Sequence, residues 1–203
     1  MSQKTKGIYS ILSNPLFYSF FQRIMSGTSL RSKIAKNLIK KKNVNILDVG
    51  CGPAEILDSL PDVKYFGYDI SSTYINYARK KYKDRGKFYC KKFTSADVKK
   101  LPKFDYVLLF GILHHLDDKK IKNLIKLIKK ILKKGGNIIT EDPVFVKNQN
   151  LIAKYLIAND RGNNVRNKNE YLKIIRKYFK KIDCKIYHQK FVPYTWFVMR
   201  CKN

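Results

Sequence analysis

Apolar and polar positions change period repeatedly along this chain, and each change marks an element. Tyr9 to Met25 reads as a helix interrupted near Asn14-Pro15, Ser26-Gly27-Thr28 as a turn, and Ser29 to Lys41 as a second helix. Val44 to Val49, apolar after a polar run, predicts a first strand. Ala54 to Leu60 opens a helix that Pro61-Asp62 ends, and Val63 to Tyr68 predicts a second strand. Ser71 or Ser72 caps a helix that runs to Lys83, because a hydroxyl there can accept from an unpaired N–H of the first turn. Lys87 to Phe93 alternates as a third strand. Phe104 to Phe110 is almost wholly apolar, which suits a fourth strand buried on both faces. The clearest helix spans Asp117 to Lys134. There Ile121, Leu124, Ile125, Ile128, Ile131 and Leu132 recur at the helical period with lysines opposite, and Gly135-Gly136 stops the run. Asn137 to Thr140 predicts the fifth strand, Leu151 to Ile157 a helix, Asp160 to Asn169 a polar loop, and Asn169 to Lys180 a helix burying Leu172, Ile175 and Phe179. Lys181 to Phe191 and Tyr194 to Cys201 read as two strands joined at Val192-Pro193.

Strands alternating with helices imply right-handed crossovers and a mainly parallel sheet. The closing hairpin makes one strand antiparallel. There is no internal repeat and no low-complexity linker. At 203 residues the chain suits one domain, or one domain with a cap. Residues 1–42 are expected as an N-terminal helical cap, 43–203 as the main domain, and 144–167 as a cap insertion within it.

Composition adds a formal net charge of +28 to a hydrophobic content of 44%, enough for a proper core. Two readings of the charge stay open. It can be a surface for nucleic acid or an anionic membrane. It can also be compositional, since lysine greatly outnumbers arginine and Lys, Asn, Ile, Tyr and Phe are all frequent, as an A/T-rich coding sequence produces. Arginine, the better bidentate phosphate ligand, is scarce. Cys51, Cys90, Cys184 and Cys201 are irregularly spaced with no CxxC pair, so neither a zinc ribbon nor a redox motif is indicated and no metal is expected. They read as reduced thiols of a cytoplasmic protein. The segment Ile8 to Met25 is aromatic but broken by polar residues. It lacks the uninterrupted apolar length of a membrane span and the pattern of a signal peptide.

The chemistry-bearing stretch is Ile46-Leu47-Asp48-Val49-Gly50-Cys51-Gly52-Pro53-Ala54, an apolar strand breaking into a glycine turn. A second apolar run, Tyr65-Phe66-Gly67-Tyr68, ends in Asp69, 21 residues after Asp48. Strand, glycine turn, helix and second strand ending in an acid form a nucleotide-binding half-unit. The glycines admit close backbone approach, and the acid can accept from both hydroxyls of a ribose. Glu55 stands where a dinucleotide fingerprint needs its last glycine, which argues against a nicotinamide cofactor and would repel a pyrophosphate.

His114 and His115 follow the fourth strand at the carboxyl edge, where open α/β sheets bind ligands. A neutral imidazole there can take a proton from a hydroxyl; the pair can equally shape the turn. Asp160-Arg161-Gly162 and Arg166 form a polar cluster able to bind an acidic substrate or to salt-bridge the cap. Glu141 and Asp142 follow the fifth strand and either meet a polar substrate or pair with these arginines. Tyr194, with Tyr18, Phe21 and Gln22, either closes over the site or packs in the core. His188 reads as a hairpin residue.

Four ordered blocks resemble the class I S-adenosyl-L-methionine-dependent methyltransferases. They are ILDVGCGPAEIL (46–57) with YFGYDIS (65–71), then ADVKKLP (96–102), FDYVLLFGILHHLDD (104–118) and KKGGNIITEDP (133–143). The resemblance runs from about Val44 to the C-terminus. Ala54 stands where the family often has a third glycine, a mild departure, and Pro53 is acceptable in a first helical turn. The resemblance implies an α/β fold: a three-layer Rossmann-like sandwich with a mostly parallel seven-stranded sheet and a C-terminal antiparallel hairpin. It implies that Asp48, Gly50, Cys51 and Gly52 hold the methionine part of the donor. Asp69 takes the ribose, Ile70 lies beside it, Asp97 and Val98 meet adenine, and Phe110, Gly111 and Leu113 line the floor at the sulfonium. S-adenosyl-L-homocysteine is then the product.

These observations lead to a methyltransferase acting on an oxygen or nitrogen of a small molecule, with His114 and His115 as catalytic residues and Glu141, Arg161, Arg166 and Tyr194 at the acceptor. An RNA methyltransferase is the runner-up, carried by the charge but lacking the Asn/Asp-Pro-Pro-Tyr/Phe signature of base methylation. A non-catalytic cofactor-binding partner subunit is a third reading, and peripheral membrane contact through the aromatic, basic N-terminus concerns location. The acceptor and the oligomeric state are not readable from the residues.

Overall fold

A computed structural model describes residues 27–160, 162–189 and 193–203. The helix expected over Tyr9–Met25, with Tyr18, Phe21 and Gln22, lies outside them, as do Arg161, Phe191 and Val192. The first described element is α1 (Gly27–Leu38), which takes in Gly27 and Thr28, read from the sequence as a turn. β1 (Asn45–Val49) leads into the glycine turn. The α-helix expected over Ala54–Leu60 is a single 3-10 turn, Glu55–Ser59. Ala54 adopts the left-handed conformation (φ 58°, ψ 26°), and Leu60 is extended before Pro61. A proline disfavours helical backbone in the residue before it, so the space between these two constraints is too short to nucleate an α-helix. Pro53 consequently sits ahead of the turn and not inside a helix.

β2 (Lys64–Asp69) is followed by α2 (Ser72–Tyr82), whose cap is Ser71, accepting from the Tyr74 N–H. β3 (Gly86–Cys90), the short α3 (Ser95–Val98) and β4 (Phe104–Phe110) come next. α4 (Asp118–Ile131) is capped by Asp117 and gives way directly to β5 (Leu132–Phe145). The helix therefore ends before the glycines expected to stop it. Phe104 pairs with Leu132 but Tyr106 pairs with Asn137, so the residues between Leu132 and Asn137 bulge out. Gly135, at φ 76°, makes that bulge possible. β5 also runs well past Thr140, because the last strand of the chain supplies partners as far as Pro143 and the short strand at Arg166–Asn167 pairs with Val144 and Phe145. The chain closes with α5 (Leu151–Ala158), β6 (Arg166–Asn167), α6 (Lys168–Ile175), β7 (Lys181–His188) and β8 (Thr195–Lys202).

The strand order is β3-β2-β1-β4-β5-β8-β7, with β6 beside the end of β5. Pairing is parallel except at β8, which is antiparallel to both β5 and β7. Alternating side chains divide the core in two, as a pleated strand requires. Leu47, Val107, Leu109 and Ile138 face a layer formed by α4 and α6, with Ile121, Ile125, Leu172 and Ile175. Ile46, Leu108, Phe110 and Ile139 face a layer formed by α1 and α2, with Ile34, Ala35, Ile75 and Ala78. The three-layer α/β sandwich is the expected architecture, and it brings the ends of β1, β2, β4 and β5 to one edge.

Candidate active site

The glycine turn is welded to the neighbouring strand. The N–H groups of Gly50 and Cys51 donate to the Tyr68 carbonyl at 2.7 and 3.0 Å. Gly50 has φ 77°, and a Cβ there would stand 2.0 Å from Cδ1 of Ile112, so any other residue would be strained and would displace Ile112. The Gly52 N–H donates to Oδ2 of Asp69 at 2.9 Å and the Ser71 N–H to Oδ1 at 2.8 Å. The acid closing β2 thus orients the turn closing β1. Burial raises the Asp69 pKa, against the pull of these backbone bonds. Beside it Ile70 is 49% exposed, an apolar side chain facing solvent at the edge. Cys51 is partly buried, and burial pushes its thiol well up.

Behind this turn lie buried carboxylates. Asp48 accepts from the Tyr65 hydroxyl at 2.6 Å through Oδ2, while Oδ1 has no partner among the described residues. Burial pushes its pKa up to about 7, with Tyr65 and Arg31 acting against the rise. Glu141, expected after β5, lies within it and is fully buried. Its Oε2 accepts from Nε of Arg31 at 2.5 Å, and its Oε1 has no partner among the described residues. Arg31 comes from α1. Its guanidinium carbon is 5.7 Å from the centre of the Phe110 ring, and one terminal nitrogen stands 3.1 Å from where a Cβ of Gly111 would be. Gly111, at φ 68°, donates its N–H to the Glu141 carbonyl at 2.7 Å. Sequence reasoning missed Arg31; the available signal was an arginine standing alone among the lysines of α1.

Asp97 is the N3 residue of a capping box. Its Oδ2 accepts from the Thr94 N–H and hydroxyl, both at 2.9 Å, and its Oδ1 from Lys91 at 2.5 Å and the Tyr68 hydroxyl at 3.3 Å. Burial works to raise its pKa, but Lys91 and Thr94 outweigh burial and hold it below the usual range. Val98 closes the same short helix, half-buried.

His114 occupies the 3-10 turn Leu113–His115, in which Leu113 is buried. It is itself buried, with Nδ1 2.8 Å from Oδ1 of Asp142 and Nε2 3.1 Å from Oδ1 of Asp160. Burial alone would lower the imidazole pKa, but the bonds to Asp142 and Asp160 prevail and push it up to about 9. Held this way, His114 is an imidazolium at neutral pH and has no lone pair for a general base. Asp160 is held down to about 2, burial being overcome by His114, Tyr194 and the Gly162 N–H. The ring of His115 packs on that of His114, centroids 4.1 Å apart.

Two residues expected at the acceptor are turned inward. Arg166 is buried and spends all five guanidinium N–H groups inside the protein. Nε and Nη2 donate to Asp118, Nη2 also to the Leu116 carbonyl, and Nη1 to the Leu113 and Asn164 carbonyls. It staples the turn after β4 to the start of α4. Tyr194 is also buried; its hydroxyl donates to Asp160 at 2.5 Å, and its ring lies 4.6 Å from that of Trp196. Glu141 and Asp142 pair with Arg31 and His114, and Arg166 pairs with Asp118 instead.

The four cysteines are free thiols. Among the described residues no group of three or more His, Cys, Asp or Glu side chains is placed to hold a metal ion, and no helix is long and apolar enough to cross a membrane.

This strand order, the lone antiparallel β8 and the glycine turn tied to an acid on the next strand define a Rossmann-like methyltransferase fold. Residues 40–193 match the model of a family described as a methyltransferase domain, and the chain belongs to that family. It is similar to the sterol 4-C-methyltransferase strm-1 of Caenorhabditis elegans, with 28% identity over 120 residues, 56% of this chain and 35% of that protein. The chain thus spans about a third of that relative's length. Its fold is similar to a SAM-dependent methyltransferase from Archaeoglobus fulgidus, with a TM-score of 0.65 and 17% identity over 92% of this chain and 99% of the other. It is also similar to human N-acetylserotonin methyltransferase, solved in complex with SAM. There the TM-score is 0.65 and the identity 16%, over 98% of this chain and 60% of that one.

Proposed function

We propose that this chain binds S-adenosylmethionine at the carboxyl edge of β1, β2 and β4 and directs its methyl to an oxygen or nitrogen of a small-molecule acceptor. One observation carries the reading. Asp48, Asp69, Asp97, Glu141, Asp142 and Asp160, six of the 15 acidic residues in a chain of +28, gather at that edge. Arg31, Lys91 and His114 pair with Glu141, Asp97 and the two acids Asp142 and Asp160, which leaves Asp48 and Asp69 at the glycine turn to face the sulfonium and ammonium of the donor. The residues fit the donor. Asp48 and Glu141 each offer a buried acceptor without a partner among the described residues, and Gly50 and Gly52 hold the turn in the left-handed region at φ 77° and 53°.

In this reading Asp48 to Gly52 hold the amino-acid part, Arg31 meets its carboxylate, and Asp69 takes the ribose hydroxyls. Ile70 gives adenine an apolar face, Asp97 and Val98 lie at its edge, and Phe110 and Gly111 form the floor. The bound sulfonium supplies an electrophilic methyl and a neutral leaving group. The protein's task is alignment, a contribution of roughly 7–11 kcal/mol in the best intramolecular cases. Imidazolium His114 fixes the turn after β4, and His115 is the imidazole left to take a proton from a hydroxyl acceptor.

Calorimetry with S-adenosylmethionine and S-adenosylhomocysteine tests the donor site; absence of heat from folded protein would sink the reading. A screen for labelled-methyl transfer over small-molecule pools and total RNA tests the acceptor. Label in RNA alone would favour the nucleic-acid alternative, and donor binding without any turnover would favour a non-catalytic partner. With a hydroxyl acceptor found, His115→Gln should lower turnover while leaving donor affinity in place.

A further inference from the structure

We infer that α5 is a docking surface for an anionic membrane, through which a lipophilic acceptor reaches the edge described above; the acceptor half rests on the methyltransferase reading. α5 anchors itself by Ala153 and Ile157, both buried. Away from that contact it presents Leu151, Ile152 and Tyr155, exposed to 80%, 59% and 69%. A surface helix normally turns charged residues to water opposite its buried stripe. Here the outward residues are apolar or amphipathic, interrupted by Lys154. From Lys147 to Asn159 there is no acidic residue, and Lys147 and Lys154 are both exposed.

Charge selects the occupant. Two copies of a chain carrying +28 repel one another, so self-association is a poor cover for this patch. A nucleic acid would match the lysines but give Leu151 and Ile152 no apolar phase to enter. The headgroup boundary of an anionic bilayer offers both, since aliphatic and tyrosyl side chains partition there and lysines meet the lipid charge. Position links the surface to the site. α5 follows the carboxyl end of β5, and beyond its own end lies Asp160, 3.1 Å from His114. At this edge Asp48, Glu141 and Asp142 are buried, whereas Lys91, Lys92, Lys147 and Lys154 face outward.

Flotation of the full chain with vesicles of phosphatidylcholine, alone or mixed with phosphatidylglycerol, tests the docking. The wild type should float with the mixed vesicles, less as salt rises. The triple variant Leu151→Ser, Ile152→Ser, Tyr155→Ser should bind them at least about tenfold more weakly, with its calorimetric affinity for S-adenosylhomocysteine unchanged. Equal flotation of the variant, or no flotation of the wild type, overturns the inference. So does a variant that merely passes from dimer to monomer in sedimentation velocity. Donor binding without flotation removes this inference alone; flotation without donor binding removes the methyltransferase reading alone. For the acceptor half, labelled methyl should appear in vesicle-borne lipid extract, and label confined to the water-soluble pool rejects it.

Discussion

Nδ1 of His114 lies 2.8 Å from Oδ1 of Asp142, and that same oxygen accepts the His114 backbone N–H at 3.1 Å. With Asp160 on the other ring nitrogen, the imidazole keeps its proton to about pH 9 against an ordinary value of 6.5. The folded pKa is raised, so the stabilisation is complete below 6.5 and is lost as pH rises through about 9. Thermal melts should therefore show the wild type losing stability from neutral pH to about 9. His114→Gln should be less stable at pH 6 and much flatter over this window. Parallel pH profiles for the two proteins would refute the assignment.

Arg166 uses every donor it has. Lysine cannot reproduce a planar fork with five N–H groups, so Arg166→Lys should cost on the order of 3 kcal/mol, as loss of several charge-assisted bonds does. Urea denaturation would measure it. Because the side chain faces inward, the acceptor KM of the folded variant should stay close to wild type; a large KM increase would return Arg166 to the acceptor site.

Gly162 packs on the histidine, and a Cβ there would stand 2.1 Å from Cδ2 of His114 and 2.7 Å from its carbonyl oxygen. Gly162→Ala should destabilise by about 1–3 kcal/mol, the usual range for overpacking. It should also reduce turnover more than donor affinity, since the 160–166 segment braces the turn that holds His115. Calorimetry beside a rate assay separates the two effects.

Asp48 should make donor binding depend on pH. Its pKa in the free protein is raised to about 7 by burial, and a cationic ammonium selects the ionised form. Affinity for S-adenosylhomocysteine should then climb as pH rises through about 7, weakening by up to about tenfold per unit below it. Asp48→Asn should bind more weakly and without that slope.

Asp69→Ala removes the acceptor of the Gly52 and Ser71 N–H groups and, in the proposed site, the ribose contact as well. Donor affinity should fall by about a hundredfold or more, equivalent to roughly two bonds to a charged group. An unchanged calorimetric isotherm would show that the ribose is held elsewhere.

How much of this the residues themselves disclose depends on range. Phe104–Phe110 could be delimited from the sequence because a continuous apolar run between polar neighbours leaves few alternatives. The turn at Glu55–Ser59 was misread as an α-helix because its composition suits either form; the left-handed Ala54 and the pre-proline Leu60 decide it. The end of α4 was overrun because Leu132 fits the last helical turn as well as the first strand position. The acids at the strand ends could be named from their spacing. Their partners could not: Arg31 meets Glu141 across 110 positions, and Arg166 meets the turn after β4 across about 50. Whether a polar loop residue turns to solvent or inward is set by such distant neighbours, so of the two readings the residues leave open for Arg166 and Tyr194, the inward one emerges only from the fold.

β5 is an interior strand of the sheet and, through Glu141 and Asp142, stands behind the edge proposed for the donor. An insertion between Asn137 and Thr140 would shift its pairing with β8 and displace both acids together. On the proposed function, change toward a different acceptor is easiest in the stretch between Phe145 and Arg166, outside this pairing. A graft into that stretch would have to keep Asp160, Gly162 and Arg166, which hold the turn after β4.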